Sequence, residues 1–174
     1  MKYLVKFFVV TLLLLICTYA SAEQKVAYLD MKFVLNNSKA GKGAQDFLQK
    51  SYKDNQKIFL DEENSLKKEE SDLLAQKTIL TKEEYQKKSD NLRKKVIDYQ
   101  SQRRTSLEQI TIQRAEARQK LLEKLDPILK TYIKENDISV IIDRKNVLMG
   151  NTNLDITNII IEKLNKELPS LSIK

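Results

Sequence analysis

From Gln45 to Lys124 the chain has no glycine, proline or tryptophan, and Lys, Glu, Gln, Asp, Leu and Ser dominate it. That is the profile of long helices rather than of a compact domain. Within it, Tyr52, Phe59, Leu66 and Leu73 recur every seven residues, with Leu48 one turn ahead of Tyr52. A seven-residue apolar repeat keeps one edge of a helix against a partner. The other usual core position is mostly polar, at Asn55, Glu62 and Glu69, so the seam is thin. After Thr81 the repeat resumes with Tyr85, Leu92 and Tyr99, and Ile110 follows.

The two strings mirror each other about Ile79. Leu73 falls opposite Tyr85, Leu66 opposite Leu92, Phe59 opposite Tyr99 and Leu48 opposite Ile110. Tyr52 falls opposite Ser106, with Leu107 its better apolar neighbour. A parallel zipper needs no such mirror, so the pattern predicts an antiparallel hairpin within one chain. Thr81-Lys82-Glu83-Glu84 reads as a capping box that starts the returning helix. The arm then covers residues 39–125, with its tip near 76–81. Its first helix is about 55 Å long and its second about 65 Å, at 1.5 Å per residue. Asp126-Pro127 reads as a break, with Asp126 capping a short new helix that reaches Glu135. Gly41 and Gly43 near the base are hinge candidates, although Gly43 fits an ordinary helix start as well.

The two ends of the chain supply what lies beneath the arm. Residues 23–38 and 126–174 form a β-rich body with a C-terminal helix. Lys25 to Asp30 reads as a short strand, and Ile138 to Ile142 as a strand buried on both faces. Asp143 to Asn146 is a polar turn, and Val147-Leu148-Met149 reads as a returning strand. Asp155 is placed to cap a final helix in which Ile156, Ile159, Ile160 and Leu164 share a face. The fold class is α+β and mostly α. Three short strands leave open edges, which predicts self-association through Val26, Tyr28, Val140, Ile141, Ile142, Val147 and Met149.

Residues 1–22 read as a cleavable signal peptide. Lys2 and Lys6 precede an apolar run from Phe7 to Cys17, and Ala20-Ser21-Ala22 places cleavage after Ala22. The run is too short to span a bilayer comfortably. Export makes the periplasm the expected location and argues against nucleic acid as a partner. Cys17, the lone cysteine, leaves with this segment, and there is no histidine. The commonest general base, the commonest metal ligand and thiolate chemistry are therefore missing. Three glycines cannot build a familiar phosphate loop. The expectation is a protein that is not an enzyme and has no cofactor or metal. Without Lys2 and Lys6 the chain carries 29 Lys and Arg against 24 Asp and Glu, a modest excess that suits acidic partners.

The end segments resemble the OmpH/Skp family of periplasmic chaperones. The likeness lies in Lys25-Val26-Ala27-Tyr28-Leu29-Asp30-Met31, Val34-Leu35-Asn36 and Ser38-Lys39-Ala40-Gly41-Lys42, then in Asn136 to Asp143, Val147 and Asp155-Ile156-Thr157. The resemblance implies a jellyfish-shaped homotrimer with helical arms around a cavity. It implies an ATP-independent holdase that prevents unfolded outer-membrane proteins from aggregating. It also implies a lipopolysaccharide patch, carried here by Arg93 and, ten residues on, Arg103-Arg104. A solvated pair of Arg104 with Asp54 is the plainer account of that arginine.

Ile58, Leu74, Ile79, Leu80, Ile97 and Ile112 lie off the heptad line. They are the candidate client-binding side chains, although Leu74 and Ile97 fit the hairpin core equally well. Lys67, Lys68, Lys77, Lys82, Lys87, Lys88, Lys94 and Lys95 gather toward the tip, where they can attract acidic clients or anionic lipid. Two other functions share these features: a structural coiled-coil adaptor of the envelope, and a peripheral binder of lipopolysaccharide or anionic membrane.

Overall fold

The computed structural model describes residue 3 and residues 24–173. The signal peptide expected over 1–22 falls, apart from Tyr3, outside the described residues. The order of elements is β1 (Lys25–Leu29), α1 (Met31–Asn37), α2 (Lys39–Ala75), α3 (Lys82–Glu135), β2 (Ile138–Asp143) and α4 (Thr157–Glu167).

Polar caps cut the chain into these pieces. The Asp30 carboxylate accepts from the Phe33 N–H at 2.8 Å and starts α1. Ser38 ends α1 and begins α2: its N–H donates to the Val34 carbonyl at 3.0 Å, and its hydroxyl accepts from the Gly41 N–H at 3.1 Å. The two helices turn so closely on each other that a Cβ at Gly41 would lie 1.8 Å from the Leu35 carbonyl oxygen. Gly41 is therefore a close-packing position in the corner, not the free hinge expected of it. Gly43 faces open space.

β1 pairs in parallel with β2, Val26 beside Val140 and Leu29 beside Asp143, with one irregularity between Lys25 and Val26. Parallel pairing needs a long crossover, and here the whole hairpin arm is that crossover. On the other side of β1, Tyr28 bridges to Asp155, and the Ile156 N–H donates to the Tyr28 carbonyl at 3.0 Å. β1 is thus flanked on both sides, and β2 is an edge. This corrects the expectation that β2 is buried on both faces: Ser139 and Val140 are exposed.

The expected third strand is also absent among the described residues. Asp143 accepts from the Lys145 N–H at 3.1 Å and the Val147 N–H donates to the Arg144 carbonyl at 3.0 Å, so the chain curls into a single 3-10 turn over Arg144–Asn146. Val147 is half-buried, and Leu148 and Met149 project fully into solvent. A returning strand would have to run along the β2 edge, and this turn carries the chain away from it.

α3 runs through Pro127 without a break. Proline withdraws the N–H that would bond the Glu123 carbonyl, a cost that normally stops a helix. Packing offsets it here: Leu125 and Ile128, on either side, are buried in the body core, and Lys130 bonds Asp126 at 2.6 Å. Asp137, with φ of 53°, then turns the chain from α3 into β2, a left-handed position that Asp tolerates.

Asp155 does support the start of α4, accepting from the Thr157 N–H at 3.0 Å, while the Thr157 hydroxyl accepts from the Asp30 N–H at 3.0 Å. Ile156, Ile160 and Leu164 face inward at four-residue spacing. Ile159 lies off that row and is exposed, against expectation, and Ile161 is half-buried in its place. With Ala27, Leu29, Val34, Leu121 and Leu125, the inward row of α4 builds one core from both ends of the chain.

Candidate functional site: the helical arm

α2 and α3 fold back as the mirror pattern predicts. The Phe59 and Tyr99 rings meet edge-on, centroids 6.0 Å apart. Leu48, Leu73, Leu92 and Ile110 are buried, and Leu66 and Tyr85 half-buried. Residues 76–80 turn the chain, and Thr81 forms the capping box: its hydroxyl accepts from the Glu84 N–H, and the Glu84 carboxylate accepts from the Thr81 N–H at 3.0 Å. The Thr81 hydroxyl and N–H both hold the Glu84 carboxyl below its ordinary range.

Tyr52 departs from the pattern. It is 41% exposed, and the residue it should face, Ser106, is bonded instead to Asn55 at 2.6 Å. Polar side chains stitch the arms tipward of this point as well. The Tyr99 hydroxyl donates to Glu63 at 3.2 Å, Lys95 to Glu69 at 2.8 Å, and Lys88 to Gln76 at 2.8 Å. The Lys67 ammonium bonded to Glu63 at 2.7 Å, with the Tyr99 hydroxyl adding to it, holds the Glu63 carboxyl below its ordinary range. Sequence reading took the polar second row only as a weakness. Asn55, Glu69 and Gln76, all on that row, bond Ser106, Lys95 and Lys88 of α3, so it also cross-links the arms.

Of the apolar side chains off the heptad line, Ile58, Leu74, Ile79, Ile97 and Ile112 are all exposed, Ile79 at the apex to 80%. Leu80 is half-buried. The alternative that Leu74 and Ile97 thicken the hairpin core does not hold, since both are 58% exposed. Phe47 and Leu60 are exposed in the same way and were missed, and Leu107, expected to pack on Tyr52 in the seam, is exposed as well. The off-seam spacing of Phe47 and Leu60 was the available clue.

A shallow groove of about 680 Å³ runs along α3 between Tyr99 and Ile112, and Arg103, Arg104 and Leu107 line it. It brings Arg103 and Arg104 to one place but leaves out Arg93, which pairs with Asp90 at 3.4 Å. Arg104 lies 4.0 Å from Glu108 on its own helix, not against Asp54 as expected, because an i,i+4 neighbour is nearer than the facing arm. Among the described residues there is no group of three or more side chains able to hold a metal, and no helix long and apolar enough to cross a membrane.

A body made from both chain ends carries a long, thinly glued hairpin, and comparisons with known proteins find the same combination. The family model for outer membrane protein (OmpH-like) matches residues 25–164. The chain belongs to the OmpH-like family. Its fold is shared with the crystal structure of an OmpH-like outer membrane chaperone candidate from Caulobacter crescentus CB15. That likeness has a TM-score of 0.81 at 19% identity, over 90% of this chain and 93% of the other. No curated protein matches it. The OmpH-like fold accounts for the mostly helical chain with its small two-stranded sheet.

Proposed function

We propose that this OmpH-like protein is a periplasmic holdase. It keeps unfolded outer-membrane proteins from aggregating by holding them against its arms, without ATP. The observation that carries this reading is the set of apolar side chains exposed along both helices of the hairpin. Ile58, Ile79, Ile97 and Ile112 each offer partial burial, at most about 1–2 kcal/mol per contact at roughly 25 cal/mol per Å². Many such contacts suit varied clients better than one tight site. Lysines near the tip add salt-dependent attraction for acidic clients.

The working form in this reading is a self-assembly, a homotrimer. The open edge of β2, with exposed Val140 and the projecting Leu148 and Met149, supports it as the contact surface. Ile141 and Ile142 of β2 itself, Val26 and Tyr28 of β1 and Val147 of the following turn complete that surface in this reading.

Mixing the purified mature protein with a denatured outer-membrane protein and measuring light scattering without nucleotide tests the holdase reading. Suppressed scattering is expected. Replacing Ile58, Ile79, Leu80 and Ile112 by serine should release the client several-fold faster while the oligomer stays intact. Suppression equal to that of the parent would remove these residues from the account.

A second reading, binding of lipopolysaccharide or an anionic membrane, is favoured by one observation: the groove places Arg103 and Arg104 beside Leu107 and Ile112. Arg103→Ala with Arg104→Ala should abolish lipopolysaccharide retention and leave client holding unchanged. Equal retention by the double variant would exclude the groove.

A further inference from the structure

Leu148 and Met149 are the most exposed apolar side chains of the body, at 102% and 91%. The chain on either side of them is tied down. The Tyr28 hydroxyl donates to the Asn151 carbonyl at 3.3 Å, and Gly150 lies so near the Tyr28 ring that a Cβ there would be 3.1 Å from Cε1. On the other side the Val147 N–H donates to the Arg144 carbonyl at 3.0 Å, and Arg144 pairs with Asp155 at 3.3 Å. A segment anchored at both ends thus holds two large apolar side chains in water. It follows directly on β2, whose open edge offers unpaired backbone groups that a strand of another copy can pair. Met149 and Met31 are the only methionines among the described residues, and Met31 is half-buried against the body core.

Leucine and methionine both fill an apolar contact, but only the thioether takes up oxygen. A peroxide supplies it. The sulfur lone pair attacks one oxygen of hydrogen peroxide, an S–O bond forms, the O–O bond breaks, and the other oxygen leaves as water with both protons. Sulfur is oxidised by two electrons and the peroxide is reduced by two. The sulfoxide oxygen is a strong acceptor, and burying it without a donor is unfavourable. We propose that Met149 is an oxidation site that controls self-association. A second copy of this chain covers the Leu148–Met149 projection, and the sulfoxide is shut out of that contact. Self-association itself is the reading proposed above, on which this control rests. Assembly shields the sulfur, so peroxide converts the free chain, and mass action then depletes the assembly.

The test exposes the purified protein to hydrogen peroxide across a dilution series. Sedimentation reads its assembly, and mass spectrometry reads the oxygen gained by the peptide that holds Met149. Oxidation should be at least about tenfold slower in concentrated, assembled protein than in dilute, dissociated protein. Oxidised protein should need at least about tenfold higher concentration to assemble. Met149→Leu, which keeps the apolar bulk without the thioether, should assemble as the parent does and stay assembled in peroxide. Met149→Gln, which puts an acceptor oxygen at a similar place, should assemble weakly with no peroxide present. Oxidation as fast in assembled as in dissociated protein would overturn the proposal alone, and so would a sulfoxide form that assembles as tightly as the parent. Equal loss of assembly by Met149→Leu in peroxide would overturn it too, by placing the damage elsewhere. A chain that stays single at every concentration would overturn the self-association reading and this control together.

Discussion

The body and the arm are built from similar residues to opposite ends. In the body, Leu29, Val34, Leu125, Ile160 and Leu164 are buried almost completely, and they come from four elements at both ends of the chain. In the arm, Leu48, Leu73, Leu92, Tyr99 and Ile110 are buried one per several turns, and apolar side chains of the same kinds lie in solvent nearby. A core that surrounds a leucine on all sides makes it costly to remove. A seam between two helices surrounds it on one side only. The body can therefore hold one shape firmly while the arm remains a surface.

The sharpest way to break this contrast is truncation. Leu164→Ala in the body should cost about 3–5 kcal/mol in denaturant unfolding, because the cavity is enclosed. Leu73→Ala near the tip should cost about half as much or less, because the chain around it can relax into water. Equal costs would mean that the arm is packed like the body. Gly41→Ala should come next, at about 1–3 kcal/mol, since its methyl would strike the Leu35 carbonyl. Gly43→Ala, two residues on in open space, should stabilise by about 0.5–1 kcal/mol. Thermal melts of the pair separate the packed corner from the free helix surface. Thr81→Ala should cost about 1 kcal/mol by removing the cap, and hydrogen exchange should place the loss at residues 82–86.

The smallest effect concerns pH. Glu63 is bonded by Lys67 and by Tyr99 of the facing helix, so its carboxyl titrates below the ordinary 4.5. A depressed carboxylate contributes stability above its unfolded value and loses it as pH falls through the folded one. The side chain is exposed, so the contribution is slight. Carboxylate NMR should find the Glu63 midpoint below 4.5, and Tyr99→Phe should move it upward. A midpoint at or above 4.5 would remove this tie between the arms.

The hairpin was legible in the sequence because one physical signal, a seven-residue repeat reflected about Ile79, fixed both helix periodicity and antiparallel register. The Phe59–Tyr99 contact follows from it directly. The breaks were less legible where a local rule met tertiary packing. Pro127 is a helix stop in isolation, yet the core contacts of Leu125 and Ile128 carry α3 through it. Gly41 looks like a hinge until the Leu35 carbonyl is seen against its Cα. Val147 to Met149 has the composition of a strand, but strand pairing depends on a neighbour, and the Asp143 turn leads away from the one available. The exposure of Ile58, Leu74, Ile97 and Ile112 followed from their being off the seam, whereas the Arg103–Arg104 groove depends on side-chain placement that spacing does not encode.

The parallel pairing of Lys25–Leu29 with Ile138–Asp143 has a temporal side. A ribosome releases the first strand long before the second exists, and α4, whose inner row completes the core, later still. Both arms can coil while the body has nothing to close on. Any product cut short before Ile138 is left as a loose rod whose first strand has no mate. Closure of the body thus waits on the last segments of the chain, β2 and α4.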